Sequence, residues 1–104
     1  MLIGVDFDGV IHDWKHPVPG RRMGPPMPNA KEALDLLHAE GHKILIHSCN
    51  NPKVIKDFME YYKLPYDHIW EMGKPNCDMF IDDRGWKFED WSSTLEEVFL
   101  AKQA

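Results

Sequence analysis

Leu2-Ile3-Gly4-Val5-Asp6-Phe7-Asp8-Gly9-Val10 opens on an almost wholly apolar run and breaks off in Asp8-Gly9. Such a run, 2–7, predicts a strand buried on both faces, as in a parallel sheet covered by helices. Beyond it, from Ile11 to Pro28, Pro17, Pro19, Gly20, Gly24, Pro25, Pro26 and Pro28 leave little room for regular structure and predict a long loop. Structureless loops of that length are more often functional than incidental. Asn29 then reads as a helix cap with Glu32 at the third helical position, and Ala30, Ala33, Leu34 and Leu37 recur at helical spacing until Gly41, giving a helix over about 29–40. A second strand is expected over 42–47 and ends in the polar turn Ser48-Cys49-Asn50-Asn51. Pro52 suits the first turn of a second helix with the stripe Val54, Ile55, Phe58, Met59 and Tyr62. His68-Ile69-Trp70 and Met79-Phe80-Ile81 are short strand candidates, residues 71–78 a loop, and a last helix starts near Thr94. The alternation predicts an α/β domain with a mainly parallel sheet and right-handed crossovers.

A chain of 104 residues holds one domain, 1–104, with no room for a second core of comparable size. Hydrophobic residues at 43% and charged residues at 28% are those of a globular protein and exclude disordered or low-complexity classes. The 17 acidic against 12 basic side chains leave a net charge of −5, the wrong sign for a general polyphosphate or nucleic-acid binder. An anionic substrate must therefore be held locally. No apolar stretch approaches the roughly 20 residues that cross a bilayer, so no membrane partner is expected. Met1 leads directly into the first strand without the pattern of a signal peptide, and a cytoplasmic location is the expectation. Cys49 and Cys77, outside any Cys-x-x-Cys spacing, read as reduced thiols.

In parallel sheets of this kind ligands gather beyond the carboxyl ends of the strands. Those ends carry Asp6 and Asp8 after the first strand, Ser48 after the second, and Asp82 and Asp83 after the last, with Lys74 in the preceding loop. Gathering several carboxylates there is costly unless a cation neutralises them, and an all-oxygen site with room for water is what Mg²⁺ prefers.

These residues resemble the motifs of the haloacid dehalogenase-like phosphohydrolases, in order and over most of the chain. Asp6-Phe7-Asp8-Gly9-Val10 is similar to the family's first motif, Ser48 after a hydrophobic strand to its second, Lys74-Pro75 to its third and Ile81-Asp82-Asp83 to its fourth. The resemblance implies a three-layer sandwich around a Rossmann-like sheet, here without a cap domain. It also implies a phosphatase in which Asp6 attacks phosphorus to form an aspartyl-phosphate. Mg²⁺ is implied on Asp6, the backbone carbonyl of Asp8 and Asp82, with Asp83 supporting it through a water or a neighbour. Lys74 and Ser48 would take the remaining phosphate oxygens, and Asp8 would protonate the leaving oxygen and then activate water. Unlike larger members, only Pro75 to Ile81 separate Lys74 from Asp82, so the lysine must arrive from a tight loop. With no inserted cap, water reaches the intermediate, and hydrolysis rather than group transfer is expected.

Arg21 and Arg22, with Lys15 and His16, stand in the long loop and either grip a distal anionic group or solubilise the loop; Asn50 joins Ser48 as a candidate substrate contact. Trp14 either stacks on a base or sugar or packs the loop onto the domain, the second being the commoner use. His12 and His47 read as neighbours of the site rather than catalysts. Trp86, Phe88 and Trp91 are assigned to packing at the sheet edge or to a subunit interface, which leaves a homo-oligomer open. The expected substrate is a small phosphorylated metabolite. A phosphorylated nucleic-acid end or protein, and a metal-binding assembly module without turnover, are the alternatives, the acidic net charge arguing against nucleic acid.

Overall fold

A computed structural model of the chain describes residues 1–16, 19, 23–48, 50–70, 77–81 and 88–103, with the backbone alone at 80 and 100–103. The described residues contain the strands β1 (Leu2–Asp6), β2 (Lys43–His47), β3 (His68–Trp70) and β4 (Met79–Ile81). They also contain the helices α1 (Ala30–Ala39), α2 (Pro52–Tyr61) and α3 (Trp91–Gln103). The strands form one sheet in the order β3-β2-β1-β4, every neighbouring pair parallel. This is the expected α/β architecture. Consecutive residues Ile3, Gly4 and Val5 in β1, and Ile44, Leu45 and Ile46 in β2, are all buried. Because side chains alternate between the faces of a strand, both faces of the sheet centre are out of solvent. Helix α1 packs against β2 and α3, and α2 against β3.

Three boundaries differ from the sequence expectation, each for a local reason. Strand β1 stops at Asp6 rather than Phe7, because the Phe7 N–H donates to the Asp6 Oδ1 at 2.9 Å and the Phe7 carbonyl accepts from the Ile11 and His12 N–H groups, each at 2.9 Å. Asn29 precedes α1 in the left-handed region, φ 64°, and makes no side-chain cap; the helix is entered through a turn in which the Ala30 N–H donates to the Met27 carbonyl at 3.0 Å. The capping box read at Asn29 and Glu32 is therefore absent. Helix α3 begins at Trp91, three residues before Thr94, because Asp90 caps it: its Oδ1 accepts from the Ser93 N–H at 2.8 Å and its carbonyl from the Thr94 Oγ1 at 2.9 Å.

Helix α2 starts as its sequence dictates, with Pro52 in the first turn and the Asn51 side chain accepting from the Lys53 N–H at 2.9 Å. Its inner face is Ile55, Phe58 and Met59, whereas Val54 of the expected stripe is exposed. Among the described residues no cap domain is inserted between these elements. Among the described residues no helix is long and apolar enough to cross a membrane.

Candidate active site

Parallel pairing brings the carboxyl ends of the strands to one edge of the sheet. Asp6 ends β1 in register with His47 at the end of β2, and on the other side Val5 pairs with Ile81, the last residue of β4. Beyond Asp6 the chain winds around the Phe7 carbonyl, and the Gly9 N–H donates to the His12 carbonyl at 2.8 Å. Gly9 sits at φ +82°, where a side chain is strained, and a Cβ there would lie 3.4 Å from the Trp14 Nε1. The loop then returns alongside itself. The Asp13 N–H donates to the Pro25 carbonyl at 2.9 Å and the Met27 N–H to the Ile11 carbonyl at 2.7 Å, an antiparallel base in a segment whose proline content predicted only irregular chain.

A cavity of about 380 Å³ opens at this edge, lined by Asp6, Asp8, Gly9, Val10, Asp13, Trp14, Lys15, Met27, Phe88 and Glu89. The two carboxylates singled out from the first strand thus share one cavity. Both oxygens of Asp8 are held: Oδ1 lies 2.9 Å from the His12 Nδ1, and Oδ2 accepts from the Asn50 Nδ2 at 2.6 Å. His12 is itself only 6% exposed, and the Gly24 N–H donates to its Nε2 at 2.8 Å. The His16 Nδ1 lies 2.9 Å from the Asp13 Oδ2, so His16 is occupied by a loop partner.

Ser48 accepts the Asn50 N–H on its Oγ at 3.0 Å, which turns the chain so that the Asn50 amide reaches Asp8. Trp14 is 57% exposed beside the cavity instead of packed under the loop. Trp91 is not at an outer face: it is 1% exposed, and its Nε1 donates to the Val10 carbonyl at 3.1 Å. Phe88 stacks edge-on against Trp91, with ring centroids 5.4 Å apart, and lines the cavity. The candidates Lys74, Asp82, Asp83, Arg21 and Arg22, with Trp86 and Cys49, lie outside the described residues. Burial, and then the neighbouring Asp78 carboxylate, push the Cys77 thiol up, which keeps it protonated and in line with an unpaired thiol.

Sequence reasoning placed His12 beside the site without a partner, though its place four residues after Asp8 was the available signal, and gave Asn50 no link to Asp8, since the two are 42 positions apart. Among the described residues the cavity bears four carboxylates, Asp6, Asp8, Asp13 and Glu89, against one ammonium, Lys15. That balance repels an anion, and its hard oxygen donors are of the type that suits Mg²⁺. Among the described residues no three His, Cys, Asp or Glu side chains are grouped closely enough to hold a metal between them. Asp6 and Asp8 offer oxygen donors of that type, and a cation held there would need at least one further ligand.

No family model matches the chain, and no curated protein matches it. Among solved structures, a conserved protein from Bacteroides thetaiotaomicron is 29% identical, with a TM-score of 0.75 over 96% of this chain and 90% of that one. A target protein from Vibrio cholerae is 22% identical, with a TM-score of 0.61 over 96% of this chain and 94% of its own. The chain is thus similar over nearly its full length to two solved proteins of comparable extent, and what it shares with them is a small α/β fold.

Proposed function

We propose that the chain is a Mg²⁺-dependent phosphate-monoester hydrolase acting through an aspartyl-phosphate on a small phosphorylated metabolite. Its core would be the three-layer sandwich of the haloacid dehalogenase-like proteins, with α2 on the face of the sheet opposite α1 and α3. The observation that carries this is the pairing in one cavity of Asp6, at the carboxyl end of β1, with Asp8, whose two oxygens are both held by donors from other segments.

In the first half-reaction a carboxylate oxygen of Asp6 attacks phosphorus, the bond from phosphorus to the ester oxygen breaks, and Asp8 gives its proton to that oxygen. In the second, Asp8 as a carboxylate takes a proton from a water whose oxygen attacks phosphorus, and the bond to Asp6 breaks to release phosphate. One group serves both steps because it gives a proton and then needs one back. Asp6, the Asp8 backbone carbonyl and Asp82 would hold Mg²⁺, which when bound supplies the positive charge that lets a carboxylate approach a phosphate. Strand β4 supports that assignment: Ile81, paired with Val5, is the residue immediately before Asp82 in the chain. Lys74 would add a fixed charge, Ser48 a hydroxyl donor, Asp83 support for the metal, and Arg21 with Arg22 a grip on a distal anionic group. The excess of carboxylates around the cavity makes the cation a requirement for substrate entry.

The test is turnover of an aryl phosphate with and without Mg²⁺. Turnover is expected to disappear with a chelator, to return with added Mg²⁺, and to fall by roughly three orders of magnitude or more in Asp6→Asn, since binding and electrostatics alone then remain. Unchanged turnover in that variant would remove Asp6 as the nucleophile. A panel of phosphorylated sugars, nucleotides and oligonucleotide ends separates small from macromolecular substrates.

A further inference from the structure

We propose that His12 is the positioning residue for Asp8: a neutral imidazole, fixed with its proton on Nδ1 by the backbone of Gly24, that orients the Asp8 carboxylate. The hydrogen-bond logic leaves one arrangement. A backbone N–H can only donate, so the Gly24 N–H, 2.8 Å from the His12 Nε2, requires a lone pair there. The single proton of a neutral ring then sits on Nδ1, 2.9 Å from the Asp8 Oδ1, which accepts it. A ring flip would put carbon atoms against both partners. It is also resisted by packing, since the imidazole stacks on Phe7 with centroids 5.3 Å apart and meets Phe58 edge-on at 5.5 Å.

The other Asp8 oxygen is tied to the Asn50 amide at 2.6 Å, so the carboxylate plane is set from two sides. Each oxygen has two acceptor positions, and one contact per oxygen leaves the second available for proton exchange. The donor that fixes His12 comes from the returning limb of the long loop. Only glycine fits there, because a Cβ on Gly24 would run into the Asp13 carbonyl. Seating of that limb therefore sets the tautomer of His12, and the tautomer sets Asp8. The use made of this orientation rests on the hydrolase proposal; the tautomer and the contact do not.

The closing experiment has two arms. In the first, nitrogen-15 NMR of the imidazole in the unmodified protein is expected to show His12 with a protonated Nδ1 and a bare Nε2, and the Nδ1–H signal is expected to move in Asp8→Asn. A proton on Nε2 would overturn the proposal. In the second, the side chain is replaced in three ways that divide its contacts. His12→Asn can keep an amide donor near the place of Nδ1, His12→Gln can keep an acceptor near the place of Nε2, and His12→Phe keeps only the stacked ring.

Gln and Phe are expected to lose at least tenfold more turnover on alkyl phosphates, whose leaving oxygen needs a proton, than on activated aryl phosphates, with KM nearly unchanged. Asn is expected to recover most of that difference. Equal loss on both ester types, or an Asn variant no better than Phe at matched thermal stability, would show a purely structural histidine and overturn the proposal. A wild-type protein with the Nδ1–H tautomer but no turnover of any ester would instead overturn the hydrolase proposal and leave the His12 lock standing.

Discussion

At Trp14 one side chain is exposed and yet held in place. The indole is 57% exposed, rests against Gly9 and lines the cavity that contains Asp6 and Asp8. An aromatic face in that position can stack on a ring carried by the leaving group, a contact worth about 0.5–1.5 kcal/mol. Trp14→Ala is accordingly expected to raise KM by about two- to tenfold for aryl or ring-bearing phosphates, with little effect on small alkyl esters. Steady-state kinetics on the two ester types decide it, and an unchanged KM on both would take Trp14 out of the substrate site. The nearness of Trp14 to Asp8 along the chain is plain in the sequence. Its direction is not, because a loop residue faces inward or outward according to what the returning limb, Gly24 to Met27, places behind it.

Two asparagines that look alike in sequence start helices in different ways. Asn51 is extended, φ −60° and ψ 125°, and accepts the Lys53 N–H; Asn29 is left-handed, φ 64°, and caps nothing with its side chain. Serine can replace the oxygen of the first but not the conformational tolerance of the second. Asn51→Ser is therefore expected to stay within a few tenths of a kcal/mol of wild type and Asn51→Ala to lose about 1 kcal/mol. Asn29→Ser is expected to lose about 1 kcal/mol, with Asn29→Gly at least as stable as wild type. Urea or thermal midpoints measure this directly, and identical responses to serine at both sites would show that the two caps work alike. The elements themselves are legible in periodicity: Ala30, Ala33, Leu34 and Leu37 are buried as spaced, and β2 and α2 lie where the apolar runs put them. What α3 owes to Asp90 is visible only once its carboxylate is seen on the Ser93 N–H, since an aspartate before a tryptophan is no distinctive start signal.

Across the whole molecule, contacts between distant segments hold the site edge together. The Trp91 Nε1 donates to the Val10 carbonyl 81 residues away, which ties α3 to the turn carrying Asp8 and Gly9, and the Leu2 N–H donates to the Asp78 Oδ2 at 2.7 Å, which ties β1 to the approach of β4. Trp91→Phe leaves a buried carbonyl without its donor and should cost about 1–3 kcal/mol. Its urea midpoint is expected to fall, and amide exchange is expected to quicken at residues 8–12 more than in α2; a uniform change would mean that the tryptophan acts through volume alone. The α/β class, the four strand positions and the acidic strand ends are written along the chain, because apolar periodicity and abrupt polar stops are properties of near neighbours in sequence. The shared cavity of Asp6 and Asp8, the grip of Asn50 and His12 on one carboxylate, and the burial of Trp91 are decided by the fold alone. They depend on which segments meet at the edge of the sheet, and strand order and loop return are set by packing between residues dozens of positions apart.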